Sequence, residues 1–199
     1  MSAGAPYIAR RPKRADGARN YDAILAAARK AFESDGAEAS LEEIAAQAGV
    51  AIGTLYRHFP NRASLVEAAT RDGLGDLVEL ARRLSDAPDP LEALIEWMRH
   101  AVRHFSTFRG LVGILAQSMY DEGTPSHEMC NAMHESGAAL LRAAQRAGRV
   151  RADLTPEEMF DLLTGVAWVR ENAPADRDRT DRLLRLILEG LTTRTPHPA

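Results

Sequence analysis

A lone cysteine, Cys130, stands in a chain of 199 residues, so no disulfide can close within it. A reducing compartment is the simple reading. Also missing is any apolar run approaching the roughly 20 residues of a bilayer span. The first twenty residues contain Arg and Lys but no apolar stretch of the kind a secretion signal needs. These absences predict a cytoplasmic protein with no membrane partner. The strict apolar–polar alternation of strands is lacking as well. What is present, 45% hydrophobic and 27% charged residues, excludes collagen and low-complexity disorder and suffices to bury a core.

The formal net charge of −3 hides a gradient. Residues 1–19 hold five basic side chains (Arg10, Arg11, Lys13, Arg14, Arg19) against Asp16, whereas residues 63–199 hold 16 basic and 21 acidic ones. A basic arm on an acidic body points to an anionic partner at the N-terminal end. Residues 1–19 therefore read as a flexible basic arm.

Prolines and caps divide the rest. Tyr21, Ile24, Leu25, Ala28 and Phe32 follow helical spacing, and Gly36 stops that helix. Ser40-Leu-Glu-Glu43 forms a capping-box pattern before Leu41, Ile44, Ala45 and Ala48. Gly49 interrupts after two turns, and a short helix over 51–58 ends at Pro60. Longer helices follow near 61–84, 90–105, 108–121, 126–147, 155–172 and 177–193. Asp89-Pro90 and Thr155-Pro156-Glu-Glu158 mark two of the starts. The pattern predicts an all-α fold of nine helices.

Residues 40–59 place two short helices around Gly49, the helix-turn-helix arrangement whose second helix enters the DNA major groove. Ala45 and Ala48 are small enough for close approach, and Val50, Leu55 and Phe59 supply a shared core. Left over on the second helix are Ile52, Gly53, Thr54, Tyr56, Arg57 and His58. The hydroxyls of Ser40, Thr54 and Tyr56, with His58 and Arg62, suit phosphate contacts, which position a protein without specifying sequence. Arg57 suits phosphate or guanine equally. Gly53 lets the backbone approach the groove, and an exposed Ile52 is sensible against a thymine methyl.

Gly49-Val50-Ala-Ile-Gly53-Thr-Leu55-Tyr56-Arg-His58-Phe59, with Asn61, Arg62 and Leu65 after it, resembles the signature of TetR-family transcriptional regulators. Residues 20–66 carry the match. The resemblance implies a TetR-like fold: a DNA-binding domain over 20–62 and a ligand-binding and dimerisation domain over 63–199. It also implies that Ile52 reads base edges, and that an unknown small-molecule effector releases a homodimeric repressor from a double-stranded DNA operator. One departure is Ala51, where the family often has Ser or Thr to cap the recognition helix.

For the effector, Trp97, His100, His104, Phe105, Phe108, Met119, Tyr120, Met133 and Trp168 are the expected lining, aromatic and flexible apolar groups with a few polar ones. The helix over 61–84, ~35 Å long at ~1.5 Å per residue, would carry a shift from effector to DNA. The helices over 155–172 and 177–193 are apolar on most sides, so Phe160, Leu163, Ala167, Leu184, Ile187, Leu188 and Leu191 are the expected dimer interface. Two rivals stand beside this reading: a metal-responsive regulator using His100, His104 and His134, and a helical adaptor without ligand. No paired-cysteine motif, His-Glu-x-x-His or nucleophile elbow is present, so neither an enzyme nor a cofactor is expected.

Overall fold

The computed structural model describes residues 8–107, 124–173 and 179–191. Eight α-helices lie among them: α1 (Ala15–Asp35), α2 (Leu41–Gln47), α3 (Ile52–His58), α4 (Arg62–Leu84), α5 (Pro90–Thr107), α6 (Pro125–Arg146), α7 (Pro156–Asn172) and α8 (Thr180–Leu191). A short 3-10 turn, Gly36–Glu38, joins α1 to α2. The expected helix over 108–121 lies outside the described residues, as do 177–178 and 192–193 at the ends of the last one. The described residues contain no strand, and none of their helices is long and apolar enough to cross a membrane.

Two compact units emerge. Residues 8–73, 107 and 124–130 form one; residues 74–106, 131–173 and 179–191 form the other. Helix α4 contributes to both, changing unit after Gly73.

In the first unit the core gathers Tyr21, Ile24, Leu25, Ala28 and Phe32 of α1 with Leu41, Ile44 and Ala45 of α2, Leu55 of α3, Phe59, and Leu65 and Ala69 of α4. Helix α1 starts five residues before the expected boundary, because Ala18 extends its buried stripe by one turn ahead of Tyr21. Asp16 and Arg19 pair across that added turn. The basic segment is therefore not a free arm over 1–19: residues 15–19 are helical, Ala9 is fully buried, and Arg11 grips Asp22 through Nε at 2.7 Å and Nη2 at 2.5 Å.

In the second unit, Trp97 is the largest buried side chain. Its indole N–H donates to the Leu77 carbonyl at 3.0 Å, and its ring meets Phe160 edge-on at 5.9 Å. Helix α7 opens with a complete capping box, Thr155 accepting from the Glu158 amide at 3.2 Å while Glu158 accepts from the Thr155 amide at 2.9 Å. Gln145 holds the turn between α6 and α7 by donating to the carbonyls of Arg151 and Leu154.

Candidate nucleic-acid interface

Helices α2 and α3 are each seven residues long, too short to stand alone. What fixes them is the turn between. Gly49 takes φ +69°, the left-handed region, and the amides of Gly49 and Val50 donate back to the Ala46 and Ala45 carbonyls. Val50 then packs on the core. Ser40 caps α2 by accepting from the Glu43 amide at 3.3 Å, but its hydroxyl donates to Glu42 at 3.2 Å, so the capping box is only half formed.

Helix α3 is anchored by one face. Leu55 and, just past the helix end, Phe59 are fully buried, and Tyr21 of α1 lies against Phe59 at 4.9 Å and edge-on to His58 at 6.1 Å. The opposite face looks outward: Ile52 is 37% and Tyr56 43% exposed, Gly53 and Arg57 are exposed, and Thr54 and His58 are half-buried. Ala51 stands at the N-cap with no side-chain hydrogen bond, although its carbonyl accepts from Thr54 at 2.8 Å. Burial and then the neighbouring Arg57 hold the His58 imidazole below its ordinary pKa, which favours the neutral ring.

Asn61 caps α4, accepting from the Ser64 amide at 2.8 Å while Ser64 donates to its carbonyl at 2.7 Å. Arg62 folds back, Nη2 donating to the Ala39 carbonyl at 2.6 Å. The structure thus brings Ile52, Gly53, Thr54, Tyr56, Arg57 and His58 onto one short helix. Ser40 and Arg62 it places at the joints around that helix, as a cap and a strut.

The effector candidates scatter. Trp97 and Met133 are buried in the core. His100 is exposed, His104 and Phe105 are half-buried and lie side by side, and Phe108, Met119 and Tyr120 lie outside the described residues. Trp168, expected in the lining, is instead 64% exposed on the outer face of α7. His134 stacks flat on Phe160 at 4.1 Å. Among the described residues no three metal-capable side chains gather, so His100, His104 and His134 do not form the metal site that their spacing allowed.

The interface candidates need correcting too. Phe160, Leu163, Ala167, Leu184 and Leu188 are buried within the chain itself; Ile187 is half-buried, and the Leu191 side chain is not among those described. The large apolar groups left exposed on α7 and α8 are Leu162, Trp168, Val169 and Leu186. Period 3.6 separates the two sets, with 159, 163 and 166 inward and 162, 165 and 169 outward. Sequence reasoning also passed over Glu67 and Arg71, whose i, i+4 spacing signals an ion pair but not its burial.

A buried scaffold presenting a short, outward-facing helix after a glycine turn defines a helix-turn-helix DNA-binding protein. Comparison with known proteins narrows the class. Residues 24–69 match the bacterial regulatory proteins of the tetR family, and residues 89–193 match the SbtR-like transcriptional regulator C-terminal domain. A TetR transcriptional regulator from Streptomyces coelicolor is 36% identical, with a TM-score of 0.73 over 88% of this chain and 99% of that one. A second, from Mycobacterium vanbaalenii, is 36% identical, with a TM-score of 0.68 over 92% and 100%. The HTH-type transcriptional repressor KstR2 of Rhodococcus jostii is 27% identical over 173 residues, 79% of this chain and 82% of that one. The chain belongs to the TetR family of transcriptional regulators: it is a DNA-binding regulator and not an enzyme.

Proposed function

We propose that two copies of this chain bind a pseudo-palindromic operator through α3 and act as a repressor that a small apolar or aromatic molecule releases. The observation that carries the reading is the outward face of α3. Ile52 offers an apolar surface to a thymine methyl. Thr54, Tyr56, Arg57 and His58 offer donors to phosphate, with Arg57 equally able to reach guanine.

The dimer half of the reading is supported by Leu162, Trp168, Val169 and Leu186, apolar groups that water covers in a single chain and a second copy would cover instead. Repression is supported by the resemblance to the Rhodococcus jostii repressor. A ligand preferring one tilt of α4 would alter DNA affinity, and DNA would alter ligand affinity by the same factor, typically ~5–150-fold.

An operator selected in vitro from random duplexes tests the reading by fluorescence anisotropy against a scrambled duplex. Two chains per operator are expected, with marked preference for the selected sequence. Ile52→Ala should relax that preference at one or two base pairs. Equal loss on both duplexes would remove Ile52 as a base reader, and equal wild-type affinity for both would overturn operator recognition.

A further inference from the structure

Away from the α3 face, the first unit holds a buried ion pair that DNA contact does not use. Glu67 of α4 is 6% exposed, and its Oε1 takes two donors: Nη1 of Arg71 at 2.6 Å and the hydroxyl of Ser126 in the first turn of α6. Its other oxygen, Oε2, is buried without a partner. Arg71 divides its fork, for Nη2 donates to the Ala9 carbonyl at 2.8 Å. Ala9 is fully buried and Ser126 is 2% exposed. The Tyr21 phenol also feels the guanidinium: burial raises its pKa and the nearby Arg71 offsets part of the rise.

Such a pair is a poor source of stability, since desolvation offsets the attraction, and an unpartnered oxygen makes matters worse. Its value lies in position. An i, i+4 pair could form on α4 alone; the divided fork and the Ser126 hydroxyl turn it into a link between three parts of the chain. Immediately after Ala9 come Arg10, Lys13 and Arg14, all exposed. Whatever fixes Ala9 fixes where these cations start.

We infer that Ser126, Glu67 and Arg71 are positioning residues for the basic segment 10–14. Ser126 orients the Glu67 carboxylate, Glu67 orients the Arg71 fork, and Arg71 holds the Ala9 carbonyl. The first turn of α6 thereby holds the start of the segment, beside the Arg11–Asp22 pair that holds its middle, and with it influences the number of phosphates the protein can neutralise. Only this last consequence rests on the operator reading above.

The test uses the full chain with Ser126→Ala and Arg71→Lys. Limited trypsinolysis followed by mass spectrometry should show cleavage after Arg10, Lys13 and Arg14 several-fold faster in both variants, with other sites cut at the wild-type rate. Ser126→Thr, which keeps the hydroxyl, should restore slow cleavage. On operator DNA, Ser126→Ala should bind several-fold more weakly, with a log–log salt slope shallower by about 0.9 for each phosphate no longer neutralised. If Ser126→Ala does not fold, Arg71→Lys still separates Ala9 from Glu67 and decides the matter. Unchanged cleavage at 10–14 overturns the link whatever happens on DNA. Faster cleavage with an unchanged salt slope overturns the effect on phosphate neutralisation. Should the wild type bind no DNA, the operator reading fails by itself, while cleavage still decides the link.

Discussion

The benzene ring of Trp97 lies so close over Gly137 of α6 that a Cβ there would stand 2.4 Å from Cη2, 2.8 Å from Cζ3 and 2.9 Å from Cζ2. The indole cannot retreat easily, held as it is by the Leu77 carbonyl and by Phe160. Glycine in a helix interior normally costs ~1 kcal/mol against alanine, so Gly137→Ala would be stabilising on propensity alone. Overpacking outweighs that gain, and a net loss of ~1–2 kcal/mol is expected in urea denaturation. The double variant Gly137→Ala/Trp97→Phe should lose less than the sum of its singles, because phenylalanine lacks the outer ring atoms.

Ala51→Ser should stabilise the DNA-binding unit. The N-cap backbone is already extended at φ −66° and ψ 145°, and only the side-chain acceptor is missing. A gain of ~0.5–1 kcal/mol is expected, readable as a raised melting temperature.

The α7–α8 pair makes a contrast of two substitutions. Leu186→Glu, at a side chain 55% exposed, should leave the chain folded and shift it to monomer in sedimentation velocity. Leu184→Arg, at 1% exposure, would bury an unpaired charge and should unfold the unit, costing several kcal/mol. A folded, dimeric Leu186→Glu variant would place the interface elsewhere.

His58 predicts two opposite pH dependences. Its folded pKa is depressed by burial and then by Arg57, so the neutral ring's contribution to stability is full above the unfolded value of about 6.5 and is lost as pH falls through the folded value. Stability should therefore decline on acidification, less so in His58→Gln. A phosphate beside the ring would favour protonation, so operator affinity should rise between pH 7.5 and 6 by less than about tenfold per pH unit. Affinity independent of pH would exclude a protonated His58 at the phosphate and leave only the neutral ring's N–H as a donor. Both trends are readable in paired denaturation and anisotropy series.

Much of the DNA-binding unit was legible because its signals are local. The apolar spacing of Tyr21, Ile24, Leu25, Ala28 and Phe32, the Ser40 cap and the glycine turn at 49 each act within one or two helical turns. So did the outward set of α3, since burying Leu55 leaves Ile52, Tyr56 and Arg57 no other direction.

Sequence by itself determined most of the described helices, the Ser40 and Thr155 caps and the turn that joins α2 to α3 as a helix-turn-helix, because those depend on hydrogen bonds and periodicities a few residues long. Tertiary structure alone decided which distant partners the side chains found. Arg62 spends Nη2 on a carbonyl 23 residues back, Trp97 settles on Gly137, and the leucines of α7 and α8 sort into Leu163 and Leu184 inside and Leu162 and Leu186 outside. A buried leucine and an exposed one carry the same propensity, and only the neighbouring helix tells them apart. The same holds for Glu67 and Arg71: their spacing allowed a pair, but the burial that makes it a link came from Ala9 and Ser126, far away along the chain.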